Sequence, residues 1–192
     1  MAQTIPAPAA LAPNPVPERS TGPTNLGFLT VLHEANGYLG GYLVTNTWGR
    51  PLEFRLSSAV QPNRVQQILY AGTLEPYVCA DLIGKTLVDK TSVPVQLVVT
   101  DCNAVLDLRL KLDAPVAWLA AKDTVPSPRP GSVIGPASNG RGTLFCHPRF
   151  PGDVSAAQEL LQRLDSTFDL AEPFSRIREA IGEARKLGVA SR

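Results

Sequence analysis

Asp101 has the clearest chemical context of any ionisable residue in this sequence, because it closely follows the apolar run Val93 to Val99. Open α/β sheets place ligands outside the carboxyl ends of their strands, where a carboxylate can hold a cation or orient a polar group. The competing reading is an ordinary helix N-cap, which the same position suits and which is favoured. Glu34 and Glu75 join Asp101 as candidate catalytic residues, while the catalytic role itself stays unknown. Cys146-His147 invites a metal or nucleophile reading, yet zinc needs several converging ligands at set spacings. The other soft ligands, His33, Cys79 and Cys102, offer no such spacing, so no metal site is assigned. Ser57, Ser58 and Ser155 lack a local base or nucleophile-elbow glycines. Gly37, Gly40 and Gly41 do not lead from a strand into a helix, so they form no phosphate loop, and no cofactor is expected.

The elements that must carry these residues follow from composition. A chain of 192 residues with 44% hydrophobic content can bury one substantial core. Prolines cluster before residue 25 and between Pro126 and Pro151, and such clusters oppose both helix and sheet. The expected organisation is a disordered tail over residues 1–25 and a compact domain over 26–121. A Pro/Gly/Arg linker over 122–152, two amphipathic helices over 153–188 and a short tail over 189–192 complete it.

Eighteen basic against 17 acidic side chains leave a net charge of +1, so no global field recruits nucleic acid or an anionic membrane. Arg129, Arg141 and Arg149 fall in a stretch without acidic residues, which reads first as a solvated linker and second as an anion-binding arm. Three cysteines with no paired spacing do not make a disulfide framework and suit a reducing compartment, the cytoplasm. No signal peptide or membrane span is visible.

Strands are expected over 28–33, 38–45 and 52–57, with Asn36-Gly37 as a hairpin turn. Gly40 and Gly41 inside the second strand imply a bulge or a close neighbour. A helix from Pro62, ended by Gly72, follows, with a strand over Val65 to Tyr70 as the alternative. Thr73 then caps a longer helix with Leu74, Tyr77, Val78, Leu82 and Leu87 as its buried stripe, and a strand over 93–99 is covered on both faces. Leu106, Leu108, Leu110 and Leu112 alternate with polar residues as a strand would. The Ala, Leu, Arg and Lys content of 104–112 and a cap at Asp101 or Asn103 favour a short helix, which is the choice made. Pro115 to Leu119 gives a further strand. Asp153 caps one late helix, and Pro173 starts a second with Phe174, Ile177, Ile181 and Leu187 on one face.

The class is therefore mixed α/β, and this order of elements resembles the ribonuclease H-like fold over residues 27–119 plus a C-terminal helix. That resemblance implies a two-metal site with acids on the first strand, on the first helix and after the fourth strand, holding ions about 4 Å apart. Asp101 matches the last of these, and Glu34 stands near the first, past the strand end. The helix position carries Gln66 and Gln67, with Glu75 displaced by several residues, and glutamine supplies no charge to hold divalent ions. The resemblance thus comes with an expectation that the metal chemistry is absent.

Function is read from these gaps. The leading expectation is a non-enzymatic interaction module in which Phe174, Ile177, Ile181 and Leu187 meet a protein partner or a second copy, with nucleic acid and membrane not expected as partners. The alternatives are a ribonuclease H-like nuclease or its catalytically degenerate relative, and nucleic-acid binding through the Arg129, Arg141 and Arg149 segment.

Overall fold

A computed structural model describes residues 24–121, 132–136 and 142–187. Residues 1–23 of the expected tail, and the segment after residue 187, lie outside the described residues. Strand β1, Asn25–Glu34, is apolar through most of its length. Gly37, at φ +105°, takes the left-handed conformation that closes the hairpin. Strand β2, Gly37–Asn46, then returns antiparallel in continuous register from Glu34↔Gly37 to Asn25↔Asn46. Strand β3, Pro51–Leu56, pairs with the free side of β2. Strands β4, Leu97–Thr100, and β5, Val116–Ala121, add in parallel on the other side of β1. Antiparallel β6, Ser132–Pro136, and β7, Gly142–Cys146, complete a seven-stranded sheet in the order β3-β2-β1-β4-β5-β7-β6. The class is mixed α/β, with the succession of elements that the ribonuclease H-like resemblance implies.

Helices cover both faces. Helix α1, Arg64–Tyr70, starts at a capping box formed by Asn63 and Gln66. It buries nothing and leaves Val65, Ile68 and Leu69 exposed. A turn Leu74–Pro76, a π-helix Tyr77–Gly84 and a last segment Lys85–Asp89 make one helical run, here α2. Val78, Cys79, Ala80, Ile83 and Leu87 of α2 pack on one sheet face with Leu29, Tyr42, Val98, Val116 and Trp118. The opposite face is covered by α3, Asp153–Leu161, and α4, Glu172–Lys186. There Ala157, Phe174, Ile177 and Ile181 meet Phe28, Leu43, Val99, Leu119 and Leu144. The period-2 alternation of β1, β4 and β5 splits their apolar residues between these two layers.

Three local expectations change in the folded chain. The run from Val93 is strand only from Leu97, because Pro94 has no N–H for a ladder and its neighbours bond elsewhere. The Ser92 and Val93 N–H groups donate to Glu53 Oε2 at 2.9 and 3.1 Å, and Gln96 Oε1 accepts from the Asn25 N–H at 2.7 Å. The ambiguous segment forms a 3-10 helix, Asn103–Leu110, burying Val105, Leu106 and Leu108. Its N-cap is Cys102 and no side chain caps it, so neither Asp101 nor Asn103 serves that role. Asp153 is likewise not a cap. It is a buried first-turn residue whose carboxylate receives Arg109 through Nε at 2.6 Å and Nη2 at 3.2 Å.

Gly40 and Gly41 explain how the layers close on β2. A Cβ on Gly40 would collide with Ile83 of α2, and one on Gly41 with Ile177 of α4. These adjacent glycines point to opposite faces, so each is the point of closest approach for one helix. Gly41→Ala is expected to cost about 1–3 kcal/mol by overpacking. Gly72→Ala, which meets nothing within 4 Å, should change stability by about 0.5 kcal/mol or less. Urea denaturation of the two variants measures the difference. The Arg109–Asp153 pair, 15% and 9% exposed, ties the 3-10 helix to α3. Arg109→Met should cost about 3 kcal/mol because it strands a buried carboxylate, and adding Asp153→Leu should recover most of that loss.

Candidate functional site

Asp101 directly follows β4, and the parallel register pairs Leu29 of β1 with Thr100. One residue further along each chain, Thr30 and Asp101 lie side by side, and the Thr30 hydroxyl donates to Asp101 Oδ1 at 2.6 Å. Thr30 shares the sheet face of Phe28, the face that α4 covers. Arg178, adjacent to buried Ile177 on α4, reaches from that helix to form an ion pair with Asp101 Oδ2. From β5, which pairs Trp118 with Thr100, the indole N–H donates to the Asp101 carbonyl at 3.3 Å. The Asp101 carboxyl is thus fixed by a strand hydroxyl on one oxygen and a guanidinium on the other.

Burial pushes the Asp101 pKa above the ordinary carboxylate value, and the Thr30 hydroxyl and Arg178 oppose that rise. The side chain is only 17% exposed, whereas the Arg178 side chain remains 48% exposed. Glu34 forms its own ion pair with Arg185 of α4. It lies four residues beyond Thr30 on β1, about 13 Å along an extended strand. His33 beside it stacks on Tyr38 across the hairpin, with ring centroids 4.1 Å apart. Glu75 is exposed at the start of α2, in the layer covering the other face of the sheet. Burial first and the Glu75 charge second raise the pKa of the Tyr38 hydroxyl.

Glu34, Glu75 and Asp101 therefore do not converge. Among the described residues, no three His, Cys, Asp or Glu side chains are arranged to hold a metal ion. The two-metal site implied by the resemblance does not fit these residues. Thr30 stands beside Asp101 on the first strand, the α1 glutamines are spent on the local bonds of the cap, and a guanidinium occupies the side of Asp101 that faces α4. A positive charge there repels a divalent cation.

Thr30 and Arg178 are the site residues that sequence reasoning passed over. The available signal was a buried hydroxyl, Thr30 at 1% exposure, inside an otherwise apolar strand. Arg178 carried none, because one arginine among several on a helix is not distinguished by spacing. Phe174, Ile177 and Ile181 lie in the chain's own core, with Phe28 edge-on to Phe174 at 5.7 Å, and Leu187 is exposed past the helix end. Cys146 is buried in the sheet. His147 lies 3.6 Å from Asp107 and accepts the Arg149 N–H on Nδ1 at 3.2 Å. Arg129 and Arg141 lie outside the described residues.

The raised Asp101 pKa has a signed consequence. A carboxyl whose folded pKa exceeds its unfolded value contributes stability that is fully present below the unfolded value, 3.8, and is lost as pH rises through the folded one. Wild-type protein should therefore lose stability relative to Asp101→Asn as pH rises from about 4 towards neutrality. Paired urea titrations across that range measure the difference, and a difference that runs the other way would show that Arg178 and Thr30 outweigh burial.

No family model and no curated protein matches the sequence. Among solved structures, the chain is similar to the endonuclease V of Bacillus subtilis, with a TM-score of 0.51 and 12% identity. The match covers 84% of this chain and 83% of that one. At that identity the likeness shows the fold. The expectation of a non-enzymatic protein-interaction module is corrected by this finding, as is the expectation that excluded nucleic acid as a partner. Both rested on missing motifs and a net charge near zero, which carry no information about a framework shared at 12% identity. Phe174, Ile177 and Ile181 of the apolar stripe that motivated an interaction role pack on the chain's own sheet. What the comparisons establish is the framework, a mixed α/β sheet of the kind found in that endonuclease.

Proposed function

We propose that this chain is a catalytically degenerate relative of ribonuclease H-like nucleases, which binds nucleic acid at the strand-end site around Asp101. The observation that carries the reading is the pairing of Asp101 with Arg178 and Thr30, in place of the acids a two-metal site needs. The fold likeness to an endonuclease supports nucleic acid as the ligand class. The local chemistry supports it too. Arg178 and Arg185 are each buttressed by a carboxylate and each stays partly exposed on the same helix. Arginine's fork of donors can bond an internal carboxylate and still meet a phosphate with its remaining N–H groups. His33, exposed and stacked on Tyr38, offers a flat surface on the same hairpin as Glu34, and aromatic surfaces take unpaired bases. Three free cysteines fit the cytoplasm as its compartment.

Fluorescence anisotropy with labelled single- and double-stranded DNA and RNA across a salt series tests the binding. Affinity should fall as salt rises, and Arg178→Gln with Arg185→Gln should reduce the log–log slope by about 1.5–2, the contribution of two lost phosphate contacts. A slope unchanged by the double variant would move the site elsewhere, and no binding to any of the four probes would refute the proposal. In parallel, incubation with magnesium or manganese should leave the probes intact. Cleavage that disappears in Asp101→Asn would instead establish the metal-dependent nuclease, the second reading that the fold likeness keeps in view.

A further inference from the structure

Strand β3 ends the sheet, and among the described residues no strand pairs with its outer side. Such an edge presents a row of backbone groups open to a further strand. The ladder with β2 decides which residues present them. The Ser57 N–H, just past the strand, donates to the Gly40 carbonyl at 2.9 Å. Backbone groups alternate sides along a strand, so Arg55 also turns towards β2, whereas Phe54 and Leu56 turn their N–H and C=O groups outward. Phe54 and Leu56 lie opposite Leu43 and Gly41, on the face that α4 covers. Glu53 and Arg55 lie opposite Val44 and Tyr42, on the other face. Leu52 and Phe54 remain 45% and 40% exposed at this edge. Arg55 Nε donates to Glu53 Oε1 at 2.8 Å, and the arginine side chain is 42% exposed.

From Leu52 to Leu56 the strand is Leu-Glu-Phe-Arg-Leu, a pattern that is complementary to its own reverse. We propose that β3 pairs antiparallel with β3 of a second copy of this chain, about a two-fold axis through Phe54. In this register Phe54 faces Phe54, Leu52 faces Leu56, and Glu53 of each copy faces Arg55 of the other. The two Phe54 residues exchange N–H···O bonds, because both turn their backbone groups to the shared edge. Charge selects this register. An axis at Glu53 would oppose two carboxylates and one at Arg55 two guanidiniums, and like charges directly opposite are unfavourable. The complementarity lies within the strand itself, which is why the occupant is a second copy and not an unrelated chain. The register shift at Val44/Thr45, with Pro51 beyond it, limits the ladder to Leu52–Leu56, so the contact is short and centred on Phe54. Opposed residues of an antiparallel pair point to one face, so both copies carry α4 on the same side of a continuous sheet.

The test uses the full chain. Sedimentation velocity from about 1 to about 200 µM should show a monomer giving way to a dimer, since so small a contact binds weakly. Phe54→Lys sets two ammonium groups across the axis, and Arg55→Glu sets a carboxylate opposite Glu53. Each should raise the dissociation constant by about tenfold or more. The register is read separately by cysteine trapping, with the wild-type chain and its three native cysteines as the control. The axis brings the two position-54 Cα atoms to about 5.5 Å, within disulfide reach, so Phe54→Cys should cross-link to itself on mild oxidation. Leu56→Cys should link far less to itself than to Leu52→Cys. A monomer at every concentration would overturn the proposal and leave the edge to another segment of the chain or a different protein. A dimer indifferent to both charged variants, or Leu56→Cys linking to itself as readily as Phe54→Cys, would also overturn it. Sedimentation of the unaltered chain stands even where a variant fails to fold, and neither readout depends on whether the chain binds nucleic acid.

Discussion

The close approach of helices to both faces of β2 is the constraint on which the rest of this structure depends. Gly40 and Gly41 are adjacent, so the pleat of the strand sends one towards α2 and the other towards α4. Seating α4 against Gly41 buries Ile177 and Ile181, which places Arg178 at the edge of the buried stripe and opposite Asp101. Seating α2 against Gly40 buries Ile83 and Leu87 in the layer on the other face of the sheet. One pair of missing side chains therefore sets the depth of both layers, and the α4 layer delivers Arg178 to Asp101.

Electrostatics at that strand end follow from packing in the same way. Asp101 is taken out of water because β1, β5 and α4 converge on it. A buried carboxylate must be hydrogen-bonded or paired, and here Thr30 and Arg178 meet the requirement that metal ions meet in a two-metal site. A hydroxyl and a guanidinium around one carboxylate make a site of different chemistry from one built of acids. This is why a fold likeness to an endonuclease and a donor set unsuited to divalent ions are compatible in one molecule. A fold can be shared while the site grafted on it differs.

The sequence by itself determined the elements with strong local signals. Period-2 apolar alternation, the Asn36-Gly37 turn and the three- and four-residue spacing of Phe174, Ile177 and Ile181 each specify backbone geometry through neighbouring residues. They were sufficient for the mixed α/β class and for placing Asp101 at a strand end. The Leu106 to Leu112 alternation was a poorer guide, because a 3-10 helix can bury Val105 and Leu108 one turn apart while also burying Leu106. Only the tertiary structure decided what Asp101 touches. Thr30 and Arg178 are 71 and 77 positions away in sequence, so their pairing depends on strand register and on where α4 docks. Such contacts are fixed by how the layers close around Gly40 and Gly41, and no local pattern of residue types records that closure.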